Sequence, residues 1–110
     1  MPYENAVTYC SNKGGRLPIP MTQEENDFLK GLGGTWLGFD MNNRNNLTYT
    51  NWRPGEPNNP PGAKPQLLAV TKWKSNGLPI TWNGWWNDGL VNEWAPAICY
   101  LSTSGIIISV

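Results

Sequence analysis

Histidine is absent from this 110-residue chain. That removes the usual general base of hydrolytic triads and the commonest zinc ligand. Cysteine occurs only at Cys10 and Cys99, too few to build a zinc site unaided. Charge is sparse and balanced: eight Lys and Arg face eight Asp and Glu, 15% of the chain, with no long run of either sign. Nucleic-acid binding requires a basic footprint, and there is none. No segment nears the ~20 apolar residues of a membrane-spanning helix. The apolar end, Gly105 to Val110, is far shorter and reads as a strand. Met1-Pro2-Tyr3-Glu4 lacks the basic-then-apolar pattern of a secretory signal, so the expectation is either that such a signal was removed or that the chain is a fragment. No nucleophile is paired with a base, and no motif supports Glu56 with Asp88 as a glycosidase pair, so an enzyme is not expected.

What remains is rich in Trp, Gly, Pro and Asn, the composition of irregular backbone held by aromatic anchors. Ala6, Val7 and Cys10 recur at helical spacing, predicting a helix over 3–13 that Gly14-Gly15 stops. Arg16 to Pro20 is extended, because Pro18 and Pro20 forbid a helix. Thr22-Gln23-Glu24-Glu25 fits a capping box for a second helix, with Phe28 and Leu29 facing the core. Trp36 to Phe39 reads as a buried strand and Asn42 to Asn46 as a turn. Leu47 to Trp52 alternates like a half-buried strand. Leu67 to Thr71, Ile80 to Trp82 and Ala97 to Leu101 complete the strands, Trp85-Trp86 opening one more element, with a turn at Asn76-Gly77. Two helices followed by short strands predict one α+β domain over 1–110.

Between the strands lies an irregular stretch, Arg53 to Pro65, with prolines at 54, 57, 60, 61 and 65. Loops this long in compact domains are either functional or disordered; the prolines favour a binding loop fixed in advance over a solvated linker. Glu56 and Asn58 flank Pro57, and residues two apart on extended backbone point the same way, so both aim at one place. A cis Glu56-Pro57 bond would converge them further. Asn87 and Asp88 offer further oxygens, with Trp86 buried beside them as an anchor. Calcium takes six to eight oxygen ligands of these kinds. As residue types alone, Asn-rich loops and an Asp-Gly turn are also ordinary. For Cys10 and Cys99, spacing leaves two readings open: two buried thiols, or a bridge closing about 90 residues with about 4 to 5 kcal/mol of stabilisation.

Taken in order, the pieces resemble the C-type lectin domain family over nearly the whole chain. Ala6 to Cys10 with Gly14-Gly15-Arg16-Leu17 is similar to its first helix and following turn. Glu24-Glu25-Asn26 lies at its second helix, and Trp36-Leu37-Gly38 at its W-I-G strand. Leu47-Thr48-Tyr49-Thr50-Asn51-Trp52 precedes Gly55-Glu56-Pro57-Asn58-Asn59, Trp86-Asn87-Asp88 follows, and Cys99 comes eleven residues after Asp88. The resemblance implies a C-type lectin-like fold with a Cys10–Cys99 disulfide. It implies calcium held by Glu56, Asn58, Asn87 and Asp88, with the same side chains binding two vicinal hydroxyls of a sugar. The Glu-Pro-Asn order implies the mannose, fucose and N-acetylglucosamine group, and glycans or glycoproteins as partners. An extracellular, secreted or cell-surface place follows, with oligomerisation as a route to avidity. Asn46-Leu47-Thr48 is a glycosylation sequon in such a setting.

Three departures bear on that expectation. Lys64 stands where the family usually places a third carboxylate, which implies weak calcium, with Glu93 as a substitute. The inner disulfide is missing, its positions falling near Gln66 and Val91, and Trp82, Trp85 and Trp94 are expected to compensate by packing. The strand that usually opens the domain is lacking, so the edge of Ala97 to Leu101 needs cover, for which Ile106 to Val110 is the candidate. Lys64 favours a second reading: a C-type lectin-like domain that binds a protein or other surface without calcium.

Overall fold

The computed structural model describes residues 1–58, 61–101 and 106–109. Helix α1 spans Tyr3–Asn12 and is followed by the two-residue strand β1, Gly15–Arg16. Helix α2, Gln23–Gly31, starts at Thr22, whose hydroxyl accepts from the Glu25 N–H at 3.1 Å. The Glu25 carboxylate reaches back to the Met21 N–H at 3.2 Å, one residue earlier than a strict capping box. Strand β2 is Gly34–Trp36, and a 3₁₀ turn covers Met41–Asn46. Strands β3 (Lys64–Leu68), β4 (Thr71–Trp73), β5 (Pro79–Thr81), β6 (Trp86–Gly89), β7 (Ala97–Leu101) and β8 (Ile106–Ser109) follow.

These strands form three antiparallel sets, ordered β1-β7-β8, β2-β3-β6 and β4-β5. The Ile98 N–H donates to Thr35 Oγ1 at 2.9 Å and the Trp36 N–H to the Pro96 carbonyl at 3.0 Å, joining the first two. Cover for the β7 edge comes from β8, with Ile98 opposite Ile108 and Cys99 opposite Ile107, as the apolar tail led us to expect. Residues 102–105 and Val110 lie outside the described residues, as do Asn59 and Pro60 of the long loop.

Cys10 and Cys99 are joined, with an S–S distance of 2.06 Å. Around the bridge pack Ala6, Leu17, Trp36, Ala95 and Ala97. A second cluster holds Leu29, Leu37, Phe39, Leu67, Trp86 and Ile98. Trp86 is its hub: its ring centroid lies 5.5 Å from Phe39, 5.5 Å from Trp52 and 5.9 Å from Tyr49. Its indole N–H donates to Asn26 Oδ1 at 2.7 Å, while Asn26 Nδ2 donates to the Gly84 carbonyl at 3.0 Å. Asn51 Nδ2 reaches the same carbonyl, also at 3.0 Å. A buried indole N–H costs free energy unless paired, so Asn26 takes an inward position that an apolar residue would usually fill.

That explains one correction to the sequence reading. Leu29 is buried but Phe28 is 50% exposed. Asn26 and Leu29, three residues apart, form the inward stripe of α2, and Phe28 falls outside it. The alternating Leu47–Trp52 segment makes no extended strand either. Its side chains alternate in burial from Leu47 to Asn51, but its backbone joins β6 only around Trp52: the Trp86 N–H donates to the Asn51 carbonyl at 2.8 Å, and the Trp86 carbonyl accepts from the Arg53 N–H at 3.2 Å. Burial alternation thus came from packing on the aromatic hub, not from a ladder. The strand expected at Leu67 to Thr71 starts earlier, at Lys64, and breaks after Leu68 before β4 resumes at Thr71. Gly34 fits this crossing because its φ is +87° and an added Cβ would lie 2.4 Å from the Leu67 carbonyl oxygen.

Candidate functional site

The long loop leaves Trp52, rises through Arg53 and returns at Ala63 into β3. Its start is pinned by the Glu56 N–H donating to the Arg53 carbonyl at 2.9 Å. The Glu56–Pro57 peptide is cis. The Arg53 guanidinium lies against two indoles, 5.3 Å from the Trp82 ring centre and 5.7 Å from that of Trp85, a cation–π arrangement that stiffens the rising limb. Of the tryptophans expected to replace the inner disulfide, Trp82 is buried, whereas Trp85 is 39% exposed with Arg53 near its ring. Trp94 is 66% exposed, so it does not serve as packing for the loop.

The returning limb brings Asp88 of β6 to the Glu-Pro-Asn turn. The Asn58 N–H donates to Asp88 Oδ1 at 3.0 Å. The Glu56 carboxyl lies against the Asp88 carboxyl, and its Oε1 is buried with no hydrogen-bond partner among the described residues. Burial, then contact with Asp88, then the charge of Asp88 push the Glu56 carboxyl up to about 7. The Arg53 charge and the Asn58 amide pull the other way without cancelling these. Two carboxyls side by side have no donor to share unless one keeps a proton. They are therefore a place for a proton or for a cation.

Asn87 sits one residue before Asp88 on β6, opposite Gln66 of β3. Its amide reaches across the sheet, Nδ2 donating to Gln66 Oε1 at 3.0 Å. The structure thus gathers Glu56, the Asn58 backbone and Asp88 directly, while Asn87, the neighbour of Asp88 on β6, gives its amide N–H to Gln66. Trp86 is buried beneath, as expected of an anchor. Lys64 goes elsewhere: its ammonium lies 5.1 Å from the ring centre of Tyr3. Glu93 closes its own turn by accepting from the Leu90 N–H at 3.2 Å, and so is not a substitute carboxylate for the pair. Among the described residues, no group of three or more His, Cys, Asp or Glu is placed to hold a metal; the loop and β6 together offer two carboxylates, Glu56 and Asp88, with amide and carbonyl oxygens.

Beside the pair lies an open cleft of about 260 Å³. Pro57, Gly62 and Ala63 form one wall, Met41 and Asn42 of the 3₁₀ turn another, and Asp88 also lines it. Sequence reasoning did not foresee this second wall, nor Gln66 as the partner of Asn87. The turn at Met41–Asn46 is polar and unremarkable in sequence, and only folding carries it to the long loop. Asn46, the sequon residue, is exposed at the end of that turn.

Residues 1–101 match the family described as Lectin C-type domain. Pulmonary surfactant-associated protein D of Bos taurus is 29% identical over 111 residues, covering 88% of this chain and 27% of the relative. The chain therefore spans about a quarter of the length of that relative. The cow C-type carbohydrate-recognition domain of CD23, crystallised in the presence of GlcNAc2Man3 oligosaccharide, is 30% identical with a TM-score of 0.58, covering 83% of this chain and 71% of that one. A calcium-independent type II antifreeze protein shares the fold with a TM-score of 0.65 at 21% identity, covering 90% of this chain and 77% of that one. With its paired Cys10 and Cys99, its two short helices and its antiparallel sheets bearing a long loop, this chain belongs to the C-type lectin domain family.

Proposed function

We propose that the chain is a calcium-dependent carbohydrate-binding domain of the mannose-type Glu-Pro-Asn group. The observation that carries the reading is the buried Glu56 Oε1, without a donor among the described residues, held against Asp88. A cation answers both features at once. Every available donor is a hard oxygen, which suits calcium over zinc or copper. Glu56, Asn58, Asn87 and Asp88 would hold the ion. Calcium would supply a Lewis-acidic centre that takes two vicinal hydroxyls of a sugar. Around it the chain's own groups orient those hydroxyls: a carboxylate oxygen of Glu56 accepts from one O–H, and the amide of Asn58 donates to it. With two carboxylates, affinity for calcium belongs at the millimolar end of the known range.

The disulfide fits an oxidising, extracellular setting, secreted or at a cell surface. Residues 1–110 act as one domain in this reading, and a glycan on Asn46 would project from the exposed end of the 3₁₀ turn. One such site binds a single sugar weakly, so strong glycan binding would come from several linked copies. A second reading, recognition of a protein or other surface without calcium, is favoured by Lys64 in place of a third carboxylate. The fold is compatible with both, since one fold hosts many functions.

The test is thermal melting against calcium, with and without mannose. The expected result is a melting temperature that rises with millimolar calcium, rises again with mannose and falls back with chelator. A melting temperature indifferent to calcium at several millimolar overturns the calcium reading in favour of the second.

A further inference from the structure

Gln66 is a residue the proposed site does not contain, yet it is 0% exposed and faces Asn87 across the β3–β6 ladder. A buried amide is costly unless both of its ends are satisfied. Here only one is. Gln66 Oε1 accepts from Asn87 Nδ2 at 3.0 Å, whereas Gln66 Nε2 is buried with no partner among the described residues. The side chain lies flat over Gly89: a Cβ there would come within 2.3, 2.4 and 2.6 Å of its Nε2, Cδ and Oε1. The missing side chain of Gly89 makes the room that Gln66 fills. An apolar residue in this pocket would pack without stranding a donor, so packing alone does not explain an amide.

What the amide does is decide which way Asn87 faces. An asparagine amide has an oxygen end and a nitrogen end of nearly equal shape. With Nδ2 committed to Gln66, the planar group carries Oδ1 on its other side. A cation accepts the oxygen and rejects the nitrogen. Left unheld, Asn87 would spend part of its time with the wrong end outward, and a site with only two carboxylates has little affinity to lose.

We propose that Gln66 is a positioning residue that fixes the Asn87 amide with its oxygen towards the cation; the proposal rests on the calcium reading above. Partners that orient a metal's ligands commonly change affinity by about 10- to 100-fold when removed. Gln66→Leu, which keeps the bulk and deletes the acceptor, is expected to weaken calcium about tenfold. Asn87→Asp supplies the control, because a carboxylate presents oxygen at both ends and needs no orienting. In that background Gln66→Leu is expected to change calcium affinity by less than about twofold.

Calcium is titrated calorimetrically into the wild type, the two single variants and the double variant. The Asn87 side-chain amide protons are followed by NMR in chelator, where the hydrogen-bonded proton is expected in wild type and lost in Gln66→Leu. An equal loss of affinity in both backgrounds overturns the positioning role and leaves a merely structural one. So does an unchanged calcium affinity in Gln66→Leu, or an Asn87 amide that never shows the bond. Gln66→Met replaces the leucine variant should that one fail to fold. A wild type that takes up no calcium overturns the calcium reading itself, with the positioning role falling as its consequence.

Discussion

Replacing Glu56 by Gln is expected to stabilise the calcium-free domain and to destroy its response to calcium, two effects of opposite sign from one atom. Glu56 titrates near 7 in the folded chain instead of 4.5, because burial and Asp88 disfavour its charge. A folded-state value above the unfolded one means that the protonated form is the better fit. The penalty for ionisation is thus absent below pH 4.5, grows as pH rises to about 7, and stays constant above. At about 1.4 kcal/mol per pH unit the full shift would bound the penalty near 3 kcal/mol. The rim of the loop meets water, and screening there brings it to about 1 kcal/mol. For a domain of this size that is a melting shift of about 4 °C. The assay is thermal melting of wild type and Glu56→Gln in chelator from pH 4.5 to 8. The curves are expected to converge at pH 4.5 and to separate by about 4 °C at pH 8, the variant higher. With millimolar calcium at pH 8 the order is expected to reverse, since only the wild type keeps both carboxylates. Parallel curves across the whole window would refute the coupling of Glu56 to Asp88, and a variant melting lower in chelator at pH 8 would invert its sign.

Asn26→Ala removes two hydrogen bonds and strands the buried Trp86 N–H; a loss of about 2 to 4 kcal/mol is expected, read as a lower urea midpoint at unchanged slope. Lys64→Met is expected to leave calcium affinity within about twofold, since the ammonium rests on Tyr3 and screened charges act weakly at a distance; calorimetry checks it, and a large gain would put Lys64 beside the ion. Changing Cys10 and Cys99 together to Ala is expected to cost about 4 kcal/mol, because the bridge closes a span of 89 residues, measured by urea unfolding. Exchanging Glu56→Gln with Asn58→Asp is expected to move preference from mannose towards galactose in a glycan competition assay, and retained mannose binding would undercut the proposed ligand geometry.

What was legible in the sequence was local or pairwise in character. The Thr22 cap, the helix stop at Gly14-Gly15, the turn at Asn76-Gly77 and the anchoring role of Trp86 each follow from local residue chemistry. The β8 return followed from a simple need, an apolar strand beside an open edge. Illegible features depended on who sits opposite whom. Phe28 faces out because Asn26 was drawn in by an indole sixty residues away. Leu47 to Trp52 alternates without a ladder because its neighbours are rings, not strands. Lys64 occupies a ligand position by count, yet the ring of Tyr3 at the other end of the chain takes its charge. Gln66 marked only a lost cysteine until β6 was laid against β3.

The Cys10–Cys99 bridge also governs how the domain would carry mechanical load. Glu56, Asn58, Asn87 and Asp88 all lie inside the covalent ring it closes. Tension applied at the two ends runs from the first ten residues to the last dozen through sulfur, and the ring between them is not on the force path. Stretching could draw out only those end segments, about 70 Å of chain at ~3.4 Å per residue. Load would peel α1 and β8, and the long loop, inside the ring, would stay slack while the molecule as a whole was under strain.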